Sequence, residues 1–134
     1  MTYKAKILVI DDEIDILDLL EMLLTTEGYE VFQASNGMDG LLYADIHQPD
    51  LILLDLMMPG MDGYAVISSL KDKPSVANIP VIMLTAMAQA KEKIKGLTAG
   101  AEDYITKPFD TKELILRIES VLNRTLPVKY MNPL

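Results

Sequence analysis

Asp55 closes an apolar run, Leu51-Ile52-Leu53-Leu54, and a Pro59-Gly60 breaker follows shortly after it. Such a run reads as a fully buried strand that ends on a single carboxylate. A second apolar run, Ile7-Leu8-Val9-Ile10, ends in Asp11, Asp12 and Glu13. If the two strands lie parallel and adjacent, Asp11, Asp12 and Asp55 meet at the C-terminal edge of the sheet, where open α/β folds bind ligands. Carboxylates crowded into one pocket repel one another, and the ionised set is tolerable when a cation sits among them. Hard oxygen donors of this kind suit Mg²⁺, which keeps some of its waters and leaves positions open for phosphate oxygens. The chemistry pointed to is a phosphoryl group held on a metal.

Two more strand ends carry functional side chains. Val81-Ile82-Met83-Leu84 runs into Thr85, and Asp103-Tyr104-Ile105-Thr106 runs into Lys107-Pro108. The assembled set is therefore acids, one hydroxyl and one ammonium.

The elements that must position these groups alternate strictly. Strands are predicted at 7–10, 29–34, 51–54, 80–84 and 103–106, with a helix after each. The first helix, about 13–26, carries Ile16, Leu19, Leu20, Leu23 and Leu24 at helical spacing, with Asp15, Asp18 and Glu21 outward and Gly28 as its stop. The second helix follows Ser35-Asn36-Gly37 and carries Met38, Leu41, Leu42 and Ile46. The third, 62–70, turns Val66, Ile67 and Leu70 inward. The fourth, about 88–99, has only Ile94 and Leu97 as anchors, and Gly100 closes it; so thinly anchored a helix is the natural element to move. The last opens at Asp110, which with Glu113 has the spacing of a capping box, and buries Leu114, Ile115, Ile118, Val121 and Leu122. Five βα units with short connections give an α/β fold, a doubly wound five-stranded parallel sheet with helices on both faces.

At 134 residues the chain fits one domain with its own core. Half of the residues are apolar and the net charge is −8, which suits a globular protein and argues against direct nucleic-acid binding by this domain. There is no cysteine, so thiol catalysis and Cys-ligated metals are excluded. The N-terminus lacks a signal h-region and no apolar run reaches membrane-spanning length, so a cytoplasmic location is expected. His47, the sole histidine, lies away from the strand C-termini and reads as a surface residue. Met57, Met58, Met61, Met83 and Met87 read as packing, because hard Mg²⁺ avoids thioethers.

Taken together, Asp11-Asp12, Asp55 with Met58-Pro59-Gly60-Met61-Asp62-Gly63 behind it, Thr85-Ala86 and Lys107-Pro108-Phe109 resemble the receiver domain of two-component response regulators. The resemblance covers residues 4–124. It implies the flavodoxin-like strand order 2-1-3-4-5, with strands one and three side by side at the switch point. It also implies that Asp55 accepts a phosphoryl group from the phosphohistidine of a sensor histidine kinase or a histidine phosphotransfer protein. Asp12, Asp55 and the main-chain carbonyl of Met57 are then the Mg²⁺ ligands, and Asp11 acts mostly through bound water. Lys107 and Thr85 bind phosphoryl oxygens, with the Lys107–Pro108 peptide cis, and Thr85 and Tyr104 match the family's switch pair. Such a domain is no enzyme beyond its own phosphorylation and slow dephosphorylation. It controls a partner through the face of helix four, strand five and helix five.

Within the subfamily that drives winged-helix transcription factors, a charged ladder on that face forms a homodimer. Lys93, Asp103, Glu113, Arg117 and Arg124 match it, whereas Ala99 stands where an acid is expected. The positions that set phosphoryl lifetime match Met57 and Met87, both apolar, so neither readily holds an attacking water and a lifetime of minutes or more is expected. By this reading residues 1–124 are the receiver and 125–134 are a tail or the start of a linker to an output domain.

Other readings compete. Asp11, Asp12 and Glu13 could merely cap the first helix. A flavin carrier of this fold needs a hydroxyl- and glycine-rich loop after strand one, which three acids replace. An aspartyl phosphatase of the haloacid-dehalogenase type has a second acid two residues past its nucleophile, where this chain has Met57. A pseudo-receiver, binding partners constitutively without phosphorylation, is the remaining alternative.

Overall fold

The computed structural model describes residues 4–86, 95, 97 and 99–126. Its strands are β1 (Lys6–Ile10), β2 (Glu30–Ala34), β3 (Leu51–Asp55), β4 (Val81–Thr85) and β5 (Asp103–Thr106). All neighbours are parallel, in the order β2-β1-β3-β4-β5. Chain progression reverses between β1 and β3, which places the switch point between the two strands that carry the acids. The described helices are α1 (Ile14–Thr26), α2 (Gly37–His47), α3 (Gly63–Lys71) and the C-terminal helix (Thr111–Thr125).

Alternate strand residues feed two cores, so the central strands are apolar throughout. Ile7, Val9, Leu51, Leu53, Ile82 and Leu84 face α1 and the C-terminal helix. Leu8, Ile10, Ile52, Leu54, Val81 and Met83 face α2 and α3. The stripe predicted for the C-terminal helix is buried at all five positions, as are Val66, Ile67 and Leu70 of α3. Gly28 and Gly100 both take positive φ, +94° and +115°, as helix stops do.

The periodicity misleads in three places. In α1 the buried positions are Leu17, Leu20 and Leu24, while Leu19 is exposed. Several leucines compete for one stripe there, and Leu17, Leu20 and Leu24 are the ones that face the β1–β3 side of the sheet. In α2 the buried residues are Gly37, Gly40 and Ala44, and Met38, Leu42 and Ile46 point outward at 53–67% exposure. The helix lies so close to β1 that a Cβ at position 40 would stand 2.5 Å from Ile10 Cδ1, so small residues make its closest contact, while Leu41, as expected, packs half-buried against the same core. Leu97, expected as an anchor, is also exposed, and Ile94 lies outside the described residues.

The capping box at the last helix is only half formed. The Asp110 carboxylate accepts from the Lys112 N–H at 3.1 Å, and Glu113 turns instead to Arg117. Asn36 caps α2 by accepting from the Asp39 N–H at 2.8 Å, and Asp62 caps α3 by accepting from Ala65 at 2.9 Å.

The contrast between α1 and α2 gives a stability prediction. Leu20→Ala empties a fully buried site and is expected to cost about 2–5 kcal/mol, whereas Leu42→Ala, on the outer stripe of α2, should cost less than about 1 kcal/mol. Urea unfolding of the two variants compares them directly; equal losses would place the α2 stripe inside the core.

Candidate functional site

β1 and β3 pair through Ile10 and Leu54, so the next residue on each strand, Asp11 and Asp55, emerges side by side at the C-terminal edge. Asp12 follows on the β1 side. One carboxylate oxygen from each of Asp11, Asp12 and Asp55 lies within 4.8 Å of the others. Asp11 and Asp55 are buried, and Asp12 is exposed at the rim. β4 contributes Thr85, fully buried at its last position, and the Lys107 N–H donates to the Thr85 carbonyl at 2.7 Å. The Lys107–Pro108 peptide is cis, as the family resemblance implies.

Lys107 Nζ donates to Asp11 Oδ2 at 2.7 Å and stands 3.6 Å from Asp55 Oδ1. Asp11 accepts in addition from the Glu13 N–H at 3.0 Å. Asp11 is thus committed to Lys107 and to the backbone ahead of α1, which leaves Asp12 and Asp55 as the acids best placed to offer oxygens to a cation. No side chain caps α1: Glu13 occupies the N-cap without a capping bond, so the acids are not explained as a helix cap.

The electrostatics are poised. Burial pushes the Asp55 carboxyl up to about 6, and the Asp11 and Asp12 charges add to this. Lys107 and the Met57 N–H pull it the other way. For Lys107, burial alone would lower the ammonium, but the hydrogen bond and charge of Asp11, with Asp55 and Glu13, hold it above the usual lysine value. A carboxylate at the mouth of an acidic pocket, with one ammonium beside it, can donate an electron pair to an electrophile whose negative oxygens the cations hold. The set of two buried acids and one exposed acid, all oxygen donors, fits Mg²⁺.

The remaining residues singled out from the sequence are placed as follows. The Tyr104 ring is buried with the α2 and α3 core, two residues before Thr106, the partner of Thr85 in the β4–β5 ladder. Met57 is exposed beside the pocket, and Met87 lies outside the described residues. Of the ladder, Lys93 lies outside the described residues too. Arg117 grips both oxygens of Asp103 at 2.8 and 2.9 Å and pairs with Glu113 at 2.9 Å, all within one chain. The Arg124 side chain donates to the Ser120 carbonyl. His47 is at the opposite end of the sheet, as expected, but it is half-buried and stacked on Phe32 with ring centroids 4.0 Å apart.

Three contacts escape a reading of the sequence. The Lys107–Asp11 bond joins residues 96 apart, and Arg117–Asp103 crosses from helix to strand. Lys95 Nζ lies 4.4 Å from the Tyr64 ring centre, tying the segment after β4 to the start of α3. Only the Glu113–Arg117 pair carries a local signal, its i,i+4 spacing.

Comparison with known proteins agrees with this architecture. The family model for the response regulator receiver domain matches residues 7–119. The DNA-binding dual master transcriptional regulator RpaA of Synechocystis is 48% identical over 90% of this chain and 50% of its own length. The transcriptional regulatory protein ResD of Bacillus subtilis is 42% identical over 98% of this chain and 53% of its own. Among solved structures, the receiver domain of the Francisella response regulator 1452 superposes with a TM-score of 0.86 at 34% identity, over 92% of this chain and all of that one. Chemotaxis protein CheY4 of Vibrio cholerae gives 0.84 at 30%, over 89% of this chain and 99% of that one.

An open α/β sheet with an acidic pocket at its switch point is the architecture that the receiver resemblance implies. The chain belongs to the response regulator receiver domain family. It spans about half the length of the curated relatives it matches.

Proposed function

We propose that residues 1–124 work as a phosphorylation-dependent signalling switch in the cytoplasm, with Asp55 as phosphoacceptor and 125–134 as a tail or the start of a linker. The observation that carries this is the carboxylate cluster of Asp11, Asp12 and Asp55 with Lys107 3.6 Å from Asp55. An Asp55 oxygen attacks the phosphorus of a phosphohistidine on a sensor histidine kinase or phosphotransfer protein. The O–P bond forms, the P–N bond breaks, and the imidazole leaves. Asp12, Asp55 and the Met57 carbonyl would hold Mg²⁺, and Asp11 would act mostly through bound water. When bound, the ion offsets the charge on the equatorial phosphoryl oxygens. Lys107 and Thr85 take phosphoryl oxygens, and the three N–H donors of Lys107 allow it to keep its bond to Asp11 while it does so. Thr85 and Tyr104 then pass the change to the face that carries β5 and the C-terminal helix.

This proposal is tested by intact mass after incubation with Mg²⁺ and acetyl phosphate. One added phosphoryl mass that requires Mg²⁺ supports it. Absence of an adduct with any donor would favour the pseudo-receiver, which binds its partner constitutively. Catalysis by the switch is confined to the domain's own phosphoryl group, and the pseudo-receiver would have none.

Met57 sets a second expectation. An exposed apolar side chain beside the acceptor gives an attacking water no hydrogen bond, so the phosphoryl group should persist for minutes or more. Met57→Gln is expected to shorten that lifetime about tenfold or more, since positioning a water is a large part of general-base catalysis. Decay of labelled protein in buffer follows it; loss within seconds from the unaltered chain would contradict the account.

Phosphorylation is further proposed to favour a homodimer through Lys93, Asp103, Glu113, Arg117 and Arg124. The intrachain pairs of Arg117 mean that these charges either rearrange or are shared when two copies meet. Rim pairs of this kind contribute little each. Sedimentation that still shows a monomer after acetyl phosphate treatment would remove the dimer.

A further inference from the structure

We infer that Gly63 is a positioning residue for Asp55, because the end of β3 is gripped from outside by the first turn of α3. This rests on the phosphoacceptor role proposed for Asp55. After β3 the chain turns through Pro59-Gly60, where Gly60 has φ +83°, and comes back on itself. The Gly63 N–H donates to the Leu56 carbonyl at 2.9 Å, so α3 starts directly against the strand end. A Cβ at position 63 would lie 2.8 Å from the main-chain oxygen of Asp55 and 2.9 Å from Leu56 Cα. Its third neighbour, Met83 Cε at 2.9 Å, is the tip of a flexible side chain.

The other tight glycines differ in kind. Gly37 and Gly40 would press only on side chains, of Met61, Val66 and Ile10, and Gly100 only on the Lys71 side chain. Among the described glycines Gly63 alone meets backbone, and the backbone it meets belongs to Asp55 and the residue after it. Leu56 leads into Met57, whose N–H bonds the Asp55 carboxylate. Displacing Leu56 therefore shifts the carboxylate, the N–H that orients it and the Met57 carbonyl together. Elsewhere in the fold a methyl group costs packing; at Gly63 it moves the reacting atoms, and misplacement of about 1 Å can cost on the order of a hundredfold in rate.

The test compares Gly63→Ala, Gly63→Ala/Met83→Leu and Gly37→Ala, with stability, the acetyl phosphate labelling rate and the Mg²⁺ midpoint measured on each. Met83→Leu removes the one side-chain overlap at nearly constant volume and leaves the backbone overlap. Both Gly63 variants are expected to label about tenfold to a hundredfold more slowly per folded molecule and to need more Mg²⁺. Gly37→Ala should lose stability but keep the rate and the midpoint. Unaltered rate and midpoint in folded Gly63→Ala would overturn the inference, as would full recovery of both in the double variant. A chain that folds in neither form would overturn it too, because the overlap would then belong to the fold and not to the site. Failure of the unaltered protein to label would instead count against Asp55 as acceptor, so the two ideas fail separately.

Discussion

Asp12→Asn is expected to raise, by about tenfold or more, the Mg²⁺ concentration that half-saturates labelling by acetyl phosphate. The three acids are not equivalent. Asp11 is committed to Lys107 at 2.7 Å and to the Glu13 N–H at 3.0 Å, and in the proposed role Asp55 keeps an oxygen for the phosphorus. Asp12, exposed at the rim, is the acid whose charge is free to serve a cation. The amide keeps its shape but offers one neutral oxygen, so affinity falls while the fold stays. At saturating Mg²⁺ the labelling rate should largely recover. A titration of initial rate against Mg²⁺ distinguishes this; an unchanged midpoint would assign the metal to other ligands.

Asp55→Asn is expected to stabilise the metal-free protein at neutral pH by about 1–2 kcal/mol. The folded protein holds the Asp55 carboxyl at about 6 against an ordinary value of 3.8, chiefly because of burial and then the Asp11 charge. Between those two pH values the folded state binds a proton that the unfolded state releases. This group's contribution is therefore present in full below about pH 4 and is lost as pH rises through about 6. A shift of two pKa units corresponds to roughly 3 kcal/mol, and screening by solvent and Lys107 reduces the net effect. The amide removes the charge, so variant and unaltered protein should differ by a few degrees in Tm at pH 7 in EDTA and converge toward pH 4. Adding Mg²⁺ at pH 7 should narrow the gap by stabilising only the protein that retains its carboxylate. Equal stability at pH 7 in EDTA would mean that Asp55 carries no such strain.

Much of the site was legible because strand ends are legible. Each apolar run is short and bounded, so the residue after it has to stand at the sheet edge, and Asp11, Asp55, Thr85 and Lys107 were found that way. Strand order was not legible from periodicity and came from the family resemblance. The buried stripe of the C-terminal helix was clear because its apolar positions are few and regularly spaced among charges.

Part of the α2 stripe departs from its periodicity for a physical reason. Burial usually selects large apolar residues, but where a helix must approach a sheet closely the closest contact is made by Gly37, Gly40 and Ala44, and Met38, Leu42 and Ile46 are displaced outward while Leu41 keeps its place against the core. Pairings across distant segments, such as Lys107 with Asp11 and Arg117 with Asp103, leave no trace in local spacing. The same holds for Gly63, whose significance lies in which backbone stands opposite it.

The most direct test of the central claim is to find where the phosphoryl group sits. Protein treated with Mg²⁺ and acetyl phosphate is reduced with borohydride, which converts an acyl phosphate to the corresponding alcohol, and the peptides are mapped by mass. The account predicts one homoserine, at position 55, which is absent without Mg²⁺ and absent from Asp55→Asn. Modification at another carboxylate, or equal modification in Asp55→Asn, would contradict it.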